Sequence, residues 1–382
     1  MNFGEYLEKM KNIQQNLLYF VDNEKNFDDI KQIFEDLKAQ EEPHEIRLFL
    51  RIISKISENH HGCSNFFSKI EQILRVFKND IKKYPNIEIF NIFKKSKRIL
   101  LFIIEEKILI FDAYIAKKMI TKKYLSAKYP HYFMPEIKKF INEKWFTNTR
   151  EWVKEIKQEL PDDFYDLRKE GENDSYICNL IRNDSVEEFV SYVNRNIISR
   201  NSTITKSIYE TNSFLIKNQN ESNANTNTKG VTLIEYAAFF GSIQIFNFLR
   251  FEGAKLTPSL WLFAIHGKNA ELIHILEEQN IKPKIIANKY EITSYKECFK
   301  ESIKCHQNDI SDYILNNYLQ NEDRKSHETF IQSLKYYNFL FIQNERINES
   351  SFLNLCQYDY YSLVFDLITN SDIDINKAVI RN

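Results

Sequence analysis

An all-α fold is predicted for this chain: a helical N-terminal body followed by an α-solenoid of short helix pairs. Three observations predict it. Only 7 Gly and 7 Pro accompany 30 Phe and 21 Tyr in 382 residues, too few turn formers for a β-rich fold. Apolar residues recur at three- and four-residue steps through most of the chain, the period of amphipathic helices. The stretch 230–254 reads as one complete helix–loop–helix unit, and weaker copies follow it. The length exceeds that of a single-core domain, so two bodies or one elongated array are expected.

The first helix is set by Leu7, Met10, Ile13, Leu17 and Phe20, spaced to share one face, and Asp22 and Asn23 end it. A shorter helix follows on Ile30, Ile33, Phe34 and Leu37. Pro43 opens the next, because its missing N–H is no loss in a first turn; Ile46, Phe49, Leu50, Ile53 and Ile56 are its expected buried side, and His60, His61 and Gly62 its stop. Phe66 to Phe77 repeats the pattern until the Tyr84-Pro85 step breaks it. From Ile87 to Met119 two or three packed helices are expected. The run Ile99 to Ile115 is the most hydrophobic, but Glu105, Glu106 and Lys107 interrupt it, so it reads as buried rather than membrane-spanning. Prolines 130, 135 and 161 punctuate a looser section that contains Trp145 and Trp152. The N-terminal region is taken as residues 1–161.

The net charge of −1 conceals an uneven distribution: residues 1–46 hold eleven acidic and five basic side chains, and 82–128 hold twelve basic and four acidic ones. A basic block suits nucleic acid or an anionic membrane surface. The alternatives are a solvated helix face or a match to the acidic block. Lys94, Lys95, Lys97 and Arg98, beside Phe90 and Phe93, are the best nucleic-acid candidates, although aromatics at helical spacing more often form core.

In the central unit Gly230 permits a tight turn, Thr232 caps a first helix that buries Ile234, Ala237 and Ala238, and Gly241 allows close reversal. Ile243, Phe246 and Leu249 line the second helix, which Gly253 ends in a left-handed conformation. The pattern resembles the ankyrin repeat. At the family's T-P-L-H-x-A this chain has Thr232, Leu233, Ile234, Glu235, Tyr236 and Ala237. Proline and histidine are absent, so the tie that the family's histidine makes between hairpins is not expected.

Indexed on that unit, residues 175–194 align if Asp184 takes the place of Gly241 and Phe189 that of Phe246. Residues 256–281 align at an offset of 27, with Ala264 on Ala237 and Asn280 on Gly253. Ser302, Ile310 and Ile314 fill these roles in a third copy; 333–342 is faint, and 352–376 sharpens again. Degenerate ankyrin-like repeats are therefore expected over 172–382. The polar stretch at about 200–229, with five Asn between Asn218 and Thr228, reads as a disordered insertion. The arrangement looks like that of divergent ankyrin-containing proteins expanded in some protozoa, which carry an uncharacterised helical N-terminal domain. The end at Asn382 fits either a natural cap or a truncation.

Catalytic signatures are absent from the sequence: there is no phosphate loop, nucleophile elbow or H-E-x-x-H. His60-His61-Gly62-Cys63 and the Cys298, Cys305, His306 group have no zinc-like spacing, so neither a metal nor any other cofactor is expected. Five scattered cysteines, an odd number without a C-x-x-C pair, point to a reducing, cytoplasmic setting. The resemblance implies a non-catalytic scaffold that holds a protein partner, with no small-molecule substrate and no transmembrane segment. Repeats of this kind meet partners through hairpin tips and the exposed side of the first helix. By position this nominates Lys229, Val231, Phe239, Phe240, His266, Gly267, Gln357 and Tyr358. Phe239 and Phe240 cannot both point inward, so one is expected at the surface or against the next repeat. The alternative function is nucleic-acid or anionic-membrane binding through 82–128.

Overall fold

The computed structural model describes residues 3–23, 27–39, 43–61, 65–121, 128–140, 160–220, 230–287, 290–342 and 351–370. Among them the fold is helical, with one exception. Strands β1 (Lys284–Ala287) and β2 (Tyr290–Thr293) form an antiparallel hairpin in which Ile285 pairs with Ile292. The all-α expectation misses this pair, whose β-branched and aromatic residues flank Asn288-Lys289 and favour extended backbone. No described helix is long and apolar enough to cross a membrane.

The N-terminal helices form where the periodicity places them: α1 (Phe3–Asn23), α2 (Phe27–Ala39) and α3 (Pro43–Asn59). The 87–119 region forms three helices, Asn86–Phe93, Lys97–Glu105 and Ala113–Met119. Asp112 caps the last, accepting from Ile115 N at 2.9 Å. Pro130 and Pro135 sit in the first turns of two short helices, Tyr129–Tyr132 and Met134–Lys138. Trp145 and Trp152 lie outside the described residues.

Beyond Tyr176 one local geometry recurs: a helix, a turn whose central residue is left-handed, and a second helix. The turn residues are Asp184 (φ 48°), Gly241 (φ 69°), Lys268 (φ 50°), His306 (φ 56°) and Asp359 (φ 58°). Tyr337 (φ 55°) holds the same place before a short 3-10 helix, Phe339–Phe341. Each pair is named below by its turn residue. The αL conformation turns the chain within two residues and lets the following N–H groups close the helix end, as when Ser185 N bonds Leu180 O and Gln307 N bonds Ser302 O at 3.0 Å each. Glycine accepts this backbone freely; the other residues hold it at a cost.

Contacts divide the chain into two compact units. Unit 1 is Met1–Phe66, Ala238–Ile243 and Leu256–Asn382; unit 2 is Phe67–Ala237 and Gln244–Lys255. This division differs from the boundary at 161–172 suggested by the sequence, because the N-terminal helices pack with the C-terminal ones. Gln14 on α1 is fully buried; its Oε1 accepts the Phe339 N–H at 2.7 Å, and its Nε2 donates to Asn338 Oδ1 at 3.1 Å. Glu45 on α3 accepts from the Ser362 hydroxyl at 2.7 Å, and Arg51 pairs with Asp359. Also within unit 1, the first helices of the Lys268, His306, Tyr337 and Asp359 pairs pack in succession.

In unit 2 the insertion expected at 200–229 is ordered as far as residue 220, a correction to that expectation; 221–229 lies outside the described residues. Thr203 bridges to Thr232, and a helix spans Ser213–Asn220. The reason is apolar anchoring: Ile204, Tyr209, Phe214 and Leu215 are buried, offsetting the ordering entropy of a polar segment. Thr232 and Glu235 form a reciprocal capping box. Glu235 Oε2 accepts the Thr232 N–H at 2.9 Å, and Glu235 N donates to Thr232 Oγ1 at 3.3 Å.

Candidate functional site

Among the described residues, a dense group of chemistry-bearing side chains lies in unit 1, where the end of α3 meets the Lys268 and His306 pairs. His60, just past α3, is buried, with Nδ1 2.9 Å from the Cys305 carbonyl and Nε2 2.9 Å from Asp22 Oδ1. Both partners are acceptors, so both ring nitrogens carry protons in this geometry. Asp22 also accepts from Lys268 Nζ at 2.5 Å. Burial raises its carboxyl, but the His60 and Lys268 hydrogen bonds overcome that and hold it down at about 2.

His266, which ends its helix, donates from Nε2 to Glu301 Oε1 at 2.9 Å, and Lys304 reaches the same oxygen at 2.6 Å. Burial works against ionisation of Glu301, yet Lys304 and His266 hold it at about 2. Burial pushes the His266 imidazole down, against the pull of Glu301. Burial also pushes the Cys305 thiol well up, and Glu301 adds to the effect. The half-buried His61 ring stacks on His266 with centroids 5.9 Å apart, and Phe239 stacks there at 4.9 Å. His306 accepts at Nδ1 from Gln14 Nε2 at 3.0 Å. The Gln14 amide is oriented by the Phe339 N–H it accepts, so His306 Nδ1 holds no proton; burial and then the His60 charge push this imidazole down to about 3.

His266, Glu301 and Cys305 place one donor atom each within 4.8 Å of one another, a grouping that the six-residue spacing of Cys298 and Cys305 conceals. The donors do not fit a metal as arranged. Cys305 Sγ is 3.6 Å from His266 Nδ1 and 3.5 Å from Nε2, a near-equidistance that sets the sulfur over the ring face. A metal on Nε2 lies in the ring plane and needs a thiolate at about 2.3 Å. Nε2 instead carries the proton given to Glu301. A nucleophile–base arrangement fails for the same reason: the sulfur lies along neither nitrogen lone pair, and Cys305 is 0% exposed. The hydrogen bonds of this group tie the end of α3 to the Lys268 and His306 pairs.

Unit 2 holds a second enclosed pair. Lys97 and Glu210 are both buried, and Lys97 Nζ donates to the Glu210 carbonyl at 3.1 Å. Burial pushes the amine down to about 7, against the attraction of Glu210. Burial pushes the carboxyl up to about 7, against the Asn212 backbone hydrogen bond, with Glu172 adding to the rise. Lys97 therefore leaves the basic cluster read from sequence. Arg98 is ion-paired with Glu71 at 2.6 Å, and Phe90 and Phe93 are core.

The residues nominated for partner contact separate into two groups, with Lys229 outside the described residues. Val231, Phe239, His266 and Gly267 are buried and offer no surface, a correction to the nomination. Val231 O accepts Ile204 N at 2.8 Å, and Phe239 is taken up by His61 and His266. Gly267 lies against the turn before it, where an added Cβ would stand 2.2 Å from Ala238 O. Phe240 and Tyr358 are half-buried, and Gln357 is exposed. Sequence reasoning missed Glu301, which stands four residues before Cys305 and so shares its helix face, a legible i, i+4 signal. Comparison of the chain with family models, curated proteins and solved structures yields no match in any of the three.

Proposed function

We propose that this chain is a non-catalytic protein-binding scaffold whose helix pairs are degenerate ankyrin-like repeats. The observation that carries this reading is the recurrence of one left-handed turn between paired helices, at Asp184, Gly241, Lys268, His306 and Asp359. Such repeats bury their cores pair against pair and leave turn and helix ends as an extended recognition surface. The two polar clusters favour a binding role over a reaction: His60, His266, Cys305 and His306 in one, and Lys97 and Glu210 in the other, are buried. The odd, scattered cysteines favour an intracellular, reducing setting.

Affinity capture on the full chain, paired with salt titration against mixed oligonucleotides and anionic vesicles, tests the proposal. A protein retained in stoichiometric amount at physiological salt is the expected outcome. Salt-sensitive retention of oligonucleotide or vesicle without such a protein would replace the scaffold reading with electrostatic binding through 82–128.

A further inference from the structure

The turn that ends the second helix of the Asp184 pair places Ile197 at φ 53° with 92% of its surface exposed. The corresponding residues after two other second helices are Gly253 (φ 85°) and Asn280 (φ 54°), types that tolerate this backbone. The same bond closes all three turns: Ile198 N to Val193 O at 3.0 Å, Ala254 N to Leu249 O at 2.9 Å, and Ile281 N to Leu276 O at 2.8 Å. The turn therefore calls for a left-handed residue, and a β-branched one suits it least. Neither the backbone nor burial accounts for an isoleucine there. A strained residue with its side chain in solvent points to a role outside folding.

Phe251, at the end of the second helix of the Gly241 pair, is 78% exposed, with the Arg250 guanidinium 4.6 Å from its ring centroid. The two turns are stitched together within unit 2. Lys255 N donates to Asn201 Oδ1 at 2.8 Å, and Arg200 meets Glu252 at 3.5 Å while lying 5.4 Å from the Phe248 ring. Residues 193–203 and 248–256 supply Arg195, Arg200, Arg250 and Lys255 against the single acid Glu252. Two exposed apolar side chains thus stand in a basic frame.

We infer that this end of unit 2 docks an acidic peptide segment of a partner protein, which packs apolar side chains on Ile197 and Phe251 and sets its carboxylates against the arginines. The inference rests on the scaffold reading and gives it a surface and a partner chemistry. It is tested by selecting displayed random peptides on the immobilised full chain and measuring the recovered peptides on an Ile197→Asn/Phe251→Ser chain. The expected peptides carry an apolar residue flanked by Asp or Glu, and bind the double variant at least about tenfold more weakly. Asn suits the αL turn better than Ile, so Ile197→Asn alone melts no lower than the parent chain and separates lost binding from lost folding. Peptides without acidic enrichment, or bound equally by both chains, would overturn this surface while leaving protein capture by the full chain as the separate measure of the scaffold. A dimer in sedimentation that the double variant abolishes would assign the patch to self-association and overturn the peptide.

Discussion

His306 shows how a single residue couples this fold to pH. Its Nδ1 must accept from Gln14, and its pKa falls from the ordinary 6.5 to about 3. A depressed folded pKa means that the unfolded chain binds the extra proton first. The associated stability is complete above pH 6.5 and drains away as pH falls from there toward 3. His61 and His266 shift in the same direction. Urea unfolding is expected to weaken between pH 7.5 and pH 5, and in His306→Asn, which keeps an acceptor and suits the αL turn, the loss should be smaller by about 2 kcal/mol. Equal slopes for the two chains would remove His306 from the account. Little of this was legible in the sequence. His60 and Cys305 lie 245 positions apart yet meet through one hydrogen bond, and no local spacing encodes that. The capping box was legible, since T-x-x-E stands at 232–235; reading Glu235 as a lost histidine hid what it does.

At the scale of elements, the turns at Gly241 and Gly267 approach closely within unit 1. Gly267 has an ordinary backbone, so its requirement is purely spatial: a Cβ would meet Ala238 O at 2.2 Å and Gly241 N at 3.0 Å. Gly253 is the converse, left-handed at φ 85° with nothing within 4 Å of an added Cβ. Gly267→Ala should therefore cost about 3 kcal/mol, the upper end for overpacking, and Gly253→Ala about 1 kcal/mol, the conformational term alone. Thermal melts of the two variants check the order, and a reversal would mean that the turns do not approach as described. The helices themselves were readable because their apolar period is strong, and Asp184 and Asn280 were readable as αL positions by alignment on glycines. Asp184 also caps the second helix of the Gly241 pair, its carboxylate accepting Gln244 N at 3.0 Å and Ile245 N at 2.9 Å. That task belongs to the neighbouring pair and leaves no mark in its own.

For the molecule as a whole, the informative fact is that unit 1 draws on both ends of the chain. The buried Gln14 bonds residues 292 and 324 positions away. A fragment of residues 172–382, the repeat region as sequence would delimit it, should bind a hydrophobic dye and melt without cooperativity, because the surfaces that α1 and α3 cover would be bare. Supplying residues 1–66 in trans should restore a cooperative melt. A fragment that melts cooperatively at the temperature of the full chain would show that the N-terminal helices are dispensable to the fold. Composition could not reveal this join, since the N-terminal helices have ordinary amphipathic patterns and nothing in them names the face they will meet.

The split make-up of unit 1 also sets a timetable for biosynthesis. Residues 1–66 leave the ribosome well before their partners in unit 1, which begin at residue 238. At roughly 5–20 residues per second, the apolar faces of α1 to α3 wait on the order of ten seconds or more for a surface to cover. All of residues 67–237 emerge in that interval. Nascent chains should accordingly engage chaperones through their first three helices and release them only when the His306 and Tyr337 pairs have been made.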